Sequence, residues 1–165
     1  MPSLRQLWVT LSTANTFLAG TDADLYIEFG MTGRSIKLPD QPGNDLEQPE
    51  LLPAFTPGAS SNATSYIFDV DSLGTADFVP GTVTLRNGNQ GPVPGPPGQI
   101  GQGWRCHGVL IIGLGEDGKF YPLVAMPDVD RWLAADEPEG LVLKLDVLKP
   151  TEVGVLEGAK LVVGV

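Results

Sequence analysis

The sequence has a single cysteine and a single histidine. Cys106 alone excludes a disulfide framework and a multi-cysteine zinc site, and His107 alone excludes any two-histidine metal motif. Basic residues are scarce: ten Lys and Arg stand against twenty Asp and Glu, for a net charge of −10. A general nucleic-acid binder needs a broad basic footprint, so no nucleic-acid partner is expected. Long apolar runs are missing too. Stretches such as Gly108–Gly115 fall far short of the roughly 20 residues a spanning helix requires. No transmembrane segment is expected, and any membrane contact comes from the surface. The opening MPSLRQLWVTLS lacks a basic region followed by an uninterrupted apolar core. No signal peptide is read there, and with one cysteine the expectation is a cytoplasmic chain.

What remains is a chain able to fold. At 165 residues it has the size of one domain, and 42% hydrophobic against 18% charged residues is enough for a packed core. Glycine (21) and proline (15) exceed a fifth of the chain and imply many turns. Between the turns the dominant pattern is alternation, the signature of half-buried strands. Leu7–Leu11, Leu25–Phe29, Ser65–Val70, Thr82–Leu85, Cys106–Leu114, Phe120–Met126 and Leu141–Leu145 all read as strands, with Leu161–Val165 as a candidate extra one. Gly115-Glu-Asp-Gly118 supplies a hairpin turn. Asp128–Ala135 is the one stretch expected to make a helical turn. Gln41–Asn62, rich in Pro and acidic residues, and Gly88–Gly103, rich in Gly and Pro, are expected as long loops. The fold class that follows is all-β, an antiparallel β-sandwich.

Several motifs fail on inspection. Gly113-x-Gly115-x-x-Gly118 fits the dinucleotide-binding pattern, but a strand follows it where a helix must begin. Asp69-x-Asp71 opens like an EF-hand loop, yet Leu73 and Pro80 occupy its fifth and twelfth positions. Both aspartates are expected at a strand end and turn. Cys106 and His107 are neighbours on a strand, so they point to opposite faces and make no nucleophile–base pair. Gly95, Gly98 and Gly101 mimic a collagen triplet without sustaining it. Asn62-Ala-Thr64 is a glycosylation sequon of consequence only in a eukaryotic secretory pathway. No catalytic constellation assembles, so no enzyme activity is expected.

One constellation survives. In Phe17-Leu-Ala-Gly-Thr-Asp-Ala-Asp24, Gly20 lets the backbone turn and present carbonyl oxygens, and Asp22 adds a carboxylate at a strand mouth. Asn44-Asp45-x-Glu47 offers an amide and two carboxylates in a second acidic loop. Hard cations such as calcium take this mix of oxygen donors. Asp22 as a turn-capping residue, and a merely solvated acidic loop, are the alternatives.

These residues also carry a resemblance. Trp8-Val-Thr-Leu-Ser-Thr followed by Phe17-Leu-Ala-Gly-Thr-Asp-Ala-Asp-Leu-Tyr-Ile27 resembles the opening of a PLAT domain, the module of lipoxygenases, polycystins, some lipases and clostridial alpha-toxin. Further landmarks follow in order: Leu38-Pro-Asp40, Asn44-Asp-Leu-Glu47, Ser65-Tyr-Ile-Phe-Asp-Val70 with Leu73-Gly74, Trp104 before Val109–Ile112, Gly118-Lys-Phe-Tyr121 and Asp130-Arg-Trp-Leu133. The match spans residues 7–146, and the domain is read as 1–148 with 149–165 as a C-terminal extension. The extension is an added strand, a partner contact or the edge of an assembly.

The resemblance implies two four-stranded sheets and a non-catalytic module for lipid or membrane surfaces or for protein partners, often with calcium. It implies calcium ligands from the carbonyls of Leu18, Gly20 or Thr21 and the side chains of Asp22, Asn44, Asp45 and Glu47. Phe17, Leu18 and Trp132 match lipid- or partner-binding positions at a loop edge, ordinary burial of Phe17 and Leu18 being the alternative. Gly101-Gln-Gly103 stands where some members carry acidic or amide residues, so a second calcium site is not expected there. Trp8, Tyr66 and Trp104 are expected to be core or hinge aromatics, a reading Trp132 shares. A protein-interaction or assembly module without lipid binding, including a homo-oligomer, is the competing function.

Overall fold

A computed structural model describes residues 2–14, 24–39, 61–88, 104–134, 137, 140–148, 154–157 and 160–163. Its strands are β1 (Ser3–Ala14), β2 (Leu25–Phe29), β3 (Arg34–Lys37), β4 (Ser61–Gly74), β5 (Val83–Asn87), β6 (Trp104–Gly115), β7 (Phe120–Met126), β8 (Arg131–Leu133), β9 (Val142–Lys144), β10 (Gly154–Glu157) and β11 (Lys160–Val163). The only helical element among the described residues is a 3₁₀ turn at Thr75–Asp77.

The strands form two antiparallel sheets. One runs β3-β2-β5-β9; the other runs β11-β10-β7-β6-β1-β4, with β8 paired to β6. The expected sandwich of two four-stranded sheets is therefore present as β4-β1-β6-β7 facing β3-β2-β5-β9. The larger sheet exceeds that expectation by three strands. β7 pairs with Val109–Leu114 of β6 only, and β8 fills the edge of Trp104–Cys106 that β7 leaves open. The β10–β11 hairpin joins through Leu156 opposite Phe120.

Alternation explains the core. Leu7, Val9 and Leu11 of β1 are buried, as are Leu25, Ile27 and Phe29 of β2, Val83 and Leu85 of β5, and Val109 and Ile111 of β6. Successive strand residues point to opposite faces, so each of these sets lines the space between the sheets. Phe29 and Phe78 close the core edge-on at 5.0 Å. Burying each such aliphatic or aromatic side chain contributes roughly 1.5–3 kcal/mol.

The structure corrects three local expectations. The helical turn expected over Asp128–Ala135 does not form across its described residues, 128–134: the Val129 amide bonds the His107 carbonyl at 2.7 Å, Asp130 takes φ +44°, and Arg131–Leu133 continues as a strand. Pairing with the exposed edge of β6 outweighs local propensity here. Asp69 and Asp71 lie inside β4 rather than at its end, because the strand runs on to Gly74. Ser61 and Asn62, expected in a loop, already belong to β4. The expected hairpin at Gly115–Gly118 forms, with the Gly118 amide on the Gly115 carbonyl at 3.0 Å and Gly118 at φ +80°. That backbone conformation favours glycine, which has no Cβ to clash.

Candidate functional site

Strand direction gathers four connections at one end of the sandwich. β1 ends where β4 and β6 begin, as Ala14 stands opposite Ser61 and Thr13 opposite Cys106. β8 ends there too, with Leu133 opposite Trp104. In the other sheet Leu25 stands opposite Asn87, and the Leu38 amide bonds the Leu25 carbonyl at 2.8 Å. β2 thus begins where β3 and β5 end. β9 begins at the same place, with Val142 opposite Arg86. The β1–β2, β3–β4, β5–β6 and β8–β9 connections therefore all leave from and return to one end.

Buried polar contacts satisfy the core's donors at that end, and one of them ties the two sheets together. Asn87, fully buried, donates its Nδ2 across the sandwich to the Leu133 carbonyl at 3.0 Å, while its backbone amide bonds Leu141 at 2.9 Å. The Trp104 indole, also fully buried, donates to Thr13 Oγ1 at 2.9 Å. Each contact satisfies a donor that would otherwise be stranded in the core. Asp24, at the mouth of β2, lies 3.4 Å from Lys37 Nζ, and its carbonyl accepts the Gly88 amide at 2.8 Å. Burial pushes the Cys106 thiol up to about 12, with Arg131 pulling against the shift and Asp130 adding to it. A thiol so placed is protonated at neutral pH and is no nucleophile. His107 Nδ1 lies 2.8 Å from Asp130 Oδ1 on the opposite face, so the two neighbours diverge as expected.

Of the residues singled out from the sequence, Phe17, Leu18, Gly20, Thr21, Asp22, Asn44, Asp45 and Glu47 lie outside the described residues. The structure places the strand ends on either side of them at the shared end. Among the described residues no three His, Cys, Asp or Glu side chains cluster as metal ligands. The donor types in the two acidic segments, carboxylate, amide and carbonyl oxygen, fit calcium in kind. Asp24, the described carboxylate beside them, is already engaged by Lys37.

Trp132 is described. It sits on β8 opposite Arg105, half-buried and turned away from the core that Leu133 enters. Trp104 and Tyr66 are core aromatics, whereas Trp8 packs edge-on against Phe120 at 4.9 Å on the outer face of the larger sheet. Sequence reasoning missed Asn87 and Thr13. The one available signal was a polar residue ending an apolar alternation, as Asn87 does after Val83 and Leu85.

The sequence matches no protein-family model and no curated protein. Solved structures do resemble it. An alpha-toxin from Clostridium absonum aligns with 90% of this chain at 18% identity and TM-score 0.56, over 32% of its own length. The Clostridium perfringens alpha-toxin from avian strain SWCP aligns with 88% at 16% identity and TM-score 0.53, over 31% of its length. A lipoxygenase variant aligns with 86% at 18% identity and TM-score 0.47, over 16% of its length. The chain spans about a third of the alpha-toxins and a smaller share of the lipoxygenase. Among the described residues no helix is long and apolar enough to cross a membrane. At these identities the alpha-toxin likeness establishes the fold, a PLAT-like β-sandwich.

Proposed function

We propose that this chain is a non-catalytic binding module that associates with lipid surfaces through the loop end of the sandwich, with calcium as its aid. One observation carries the reading: the strands that flank the Phe17–Asp22 and Asn44–Glu47 segments, and the strand bearing Trp132, all meet at that end. The resemblance assigns the ligands to Asp22, Asn44, Asp45 and Glu47 with carbonyls of Leu18, Gly20 or Thr21, and the apolar contacts to Phe17, Leu18 and Trp132. At a net charge of −10 the metal-free protein is repelled by an anionic bilayer. Calcium cancels carboxylate charge locally and lets the apolar tips enter the interface. Burying one Phe and one Leu contributes roughly 1.5–3 kcal/mol each, so the association is modest and reversible. Calorimetric titration of the metal-stripped protein with calcium, then vesicle co-sedimentation, tests this. Binding that disappears in the Asp22→Ala, Asp45→Ala double variant supports it; no heat and no calcium-dependent sedimentation refutes it.

A second reading, a protein-interaction module, draws on a different observation. The solvent face of the larger sheet carries Ile67, 53% exposed, and Leu110, 40% exposed, beside half-buried Trp8, Ile112, Phe120 and Pro122. An antiparallel sheet normally shows polar residues on that face. Concentration-dependent association that ignores calcium and is lost in Ile67→Ser favours this reading.

A further inference from the structure

We infer that the outer edge of β4 pairs with a second copy of this chain: the two β4 strands run antiparallel about a two-fold axis at Ile67, and the two larger sheets become one. β4 ends the larger sheet, and among the described residues no strand lies on its other side. The other sheet-edge strands are short, with four residues in β3, three in β9 and four in β11, whereas β4 has fourteen. Short strands, Pro, Lys and bulges are the devices that stop sheet edges from pairing with other chains. β4 carries such a device at one end only. Between Leu4 and Gln6 of β1 it bulges through residues 70–72, where Ser72 takes φ +54° and its carbonyl accepts Arg34 Nη1 at 3.0 Å. Residues 61–69 are different. They follow β1 in unbroken register, from Asp69 opposite Gln6 to Ser61 opposite Ala14, with no Pro, Gly, Lys or Arg among them. Alternate amides and carbonyls along this stretch point away from β1, the arrangement that receives an added strand.

The residues of β4 fit a second β4. With the axis at Ile67, this exposed side chain meets its own copy, and Tyr66 stands opposite Phe68 of the second copy on the core side. On the solvent side Asp69 stands opposite Ser65 of the second copy, so no like charges face each other. An axis at Asp69 would oppose two carboxylates, and an axis at Val70 would set Asp69 against Asp71. Asp69 is the one charged residue of the unbroken stretch, and it already accepts the Gln6 amide at 3.0 Å. Two chains of net charge −10 therefore meet along an almost uncharged edge, and salt screens the repulsion that remains. The axis also continues an apolar row. Ile67 lies opposite Trp8, Trp8 opposite Ile112 and Ile112 opposite Pro122, so the row crosses four strands and passes through Ile67 into the second copy. Such pairing gives the protein-interaction reading its partner, and it rests on that reading.

The test is sedimentation of the full chain over a concentration series up to about 1 mM, with EDTA present so that calcium plays no part. A monomer–dimer equilibrium that tightens with sodium chloride is expected. Ile67→Lys and Ile67→Glu each place like charges on the axis and should weaken the dimer by at least about tenfold. Because Ile67 is exposed, both variants should melt near the parent temperature, which circular dichroism checks. An equimolar mixture of the two should dimerise again, since lysine then meets glutamate. Amide hydrogen exchange of the wild-type protein supplies a readout that needs no variant. The alternate β4 amides over residues 61–69 that β1 does not engage should gain protection as the dimer forms. Association without that protection, or a mixture that stays monomeric, overturns the edge pairing and leaves the protein-interaction reading to the face of the sheet. A wild-type monomer at every concentration overturns the inference too, and leaves that reading to a different protein.

Discussion

Asn87 shows how one side chain ties the two sheets at the end from which the four connections leave. Its amide reaches the Leu133 carbonyl from the opposite sheet, and the residue is fully buried. Removing it leaves that carbonyl without its partner in a dry place, a loss of about 1–3 kcal/mol. Asn87→Ala should therefore lower the melting temperature markedly, and thermal denaturation followed by circular dichroism checks it; an unchanged midpoint would show that the clamp carries no weight. Cys106 makes a prediction of a different kind. Its thiol rises from an ordinary 9.0 to about 12 through burial. The folded state then holds its proton more tightly than the unfolded state. That contribution to stability is complete below pH 9 and is lost progressively as pH climbs towards 12. Wild-type stability should fall across that window more steeply than that of Cys106→Ala, and urea titrations at several alkaline pH values measure the difference. Parallel curves for the two proteins would contradict the buried-thiol account. The alternation of a strand placed Cys106 and His107 on opposite faces but did not say how deeply the thiol lies, and Asn87 fell beyond the strand read over Thr82–Leu85.

The strands themselves were legible where burial imposes a period of two. Leu25, Ile27 and Phe29 announce β2, and Phe120–Met126 was read with the bounds the structure gives β7. The reading failed where pairing rather than pattern decides. β3, Arg-Ser-Ile-Lys, has one apolar residue and exists because β2 offers it an edge, from Tyr26 opposite Lys37 to Phe29 opposite Arg34. β8 exists because β6 outruns β7, a fact no local window contains. Asp130 at φ +44° is part of that entry and breaks the helical turn expected there. The strand ends carry tight constraints as well. A Cβ on Gly88 would lie 2.8 Å from the Asp24 carbonyl oxygen and 2.8 Å from Tyr26 Cε2, closer than carbon tolerates. Gly88→Ala must push β5 away from β2 and break the Gly88–Asp24 hydrogen bond. A cost of about 1–3 kcal/mol is expected, in line with other overpacking substitutions. Chemical denaturation measures it, and faster amide exchange at Gly88 and Tyr26 would localise the damage to this end.

At the scale of the whole molecule, charge and sheet geometry act together. Four connections leave from one end, two of them with acidic segments, on a chain whose net charge is −10. Self-repulsion at that charge opposes the compact state, and added salt screens it. The opposing effect, weakening of exposed ion pairs such as Lys37–Asp24, is worth about 0–1 kcal/mol per pair and is the smaller one. Raising ionic strength from about 0.01 M to about 0.15 M shortens the Debye length from about 30 Å to about 8 Å. The melting temperature should therefore rise with sodium chloride, and a fall would mean that paired charges outweigh net repulsion. Calcium chloride at the same ionic strength separates screening from binding. Screening alone gives the same midpoint for both salts. An ion held by the folded state adds stability by mass action, about 2.7 kcal/mol when its concentration is a hundredfold above the dissociation constant. For a domain of this size that corresponds to about 5–11 °C above the sodium chloride value. The increment should vanish when Asp22 and Asp45 are both replaced by alanine, while the sodium chloride effect persists. Coincident curves for the two salts in the wild-type protein would leave the acidic segments as sources of repulsion only, and would turn attention to the apolar face of the larger sheet.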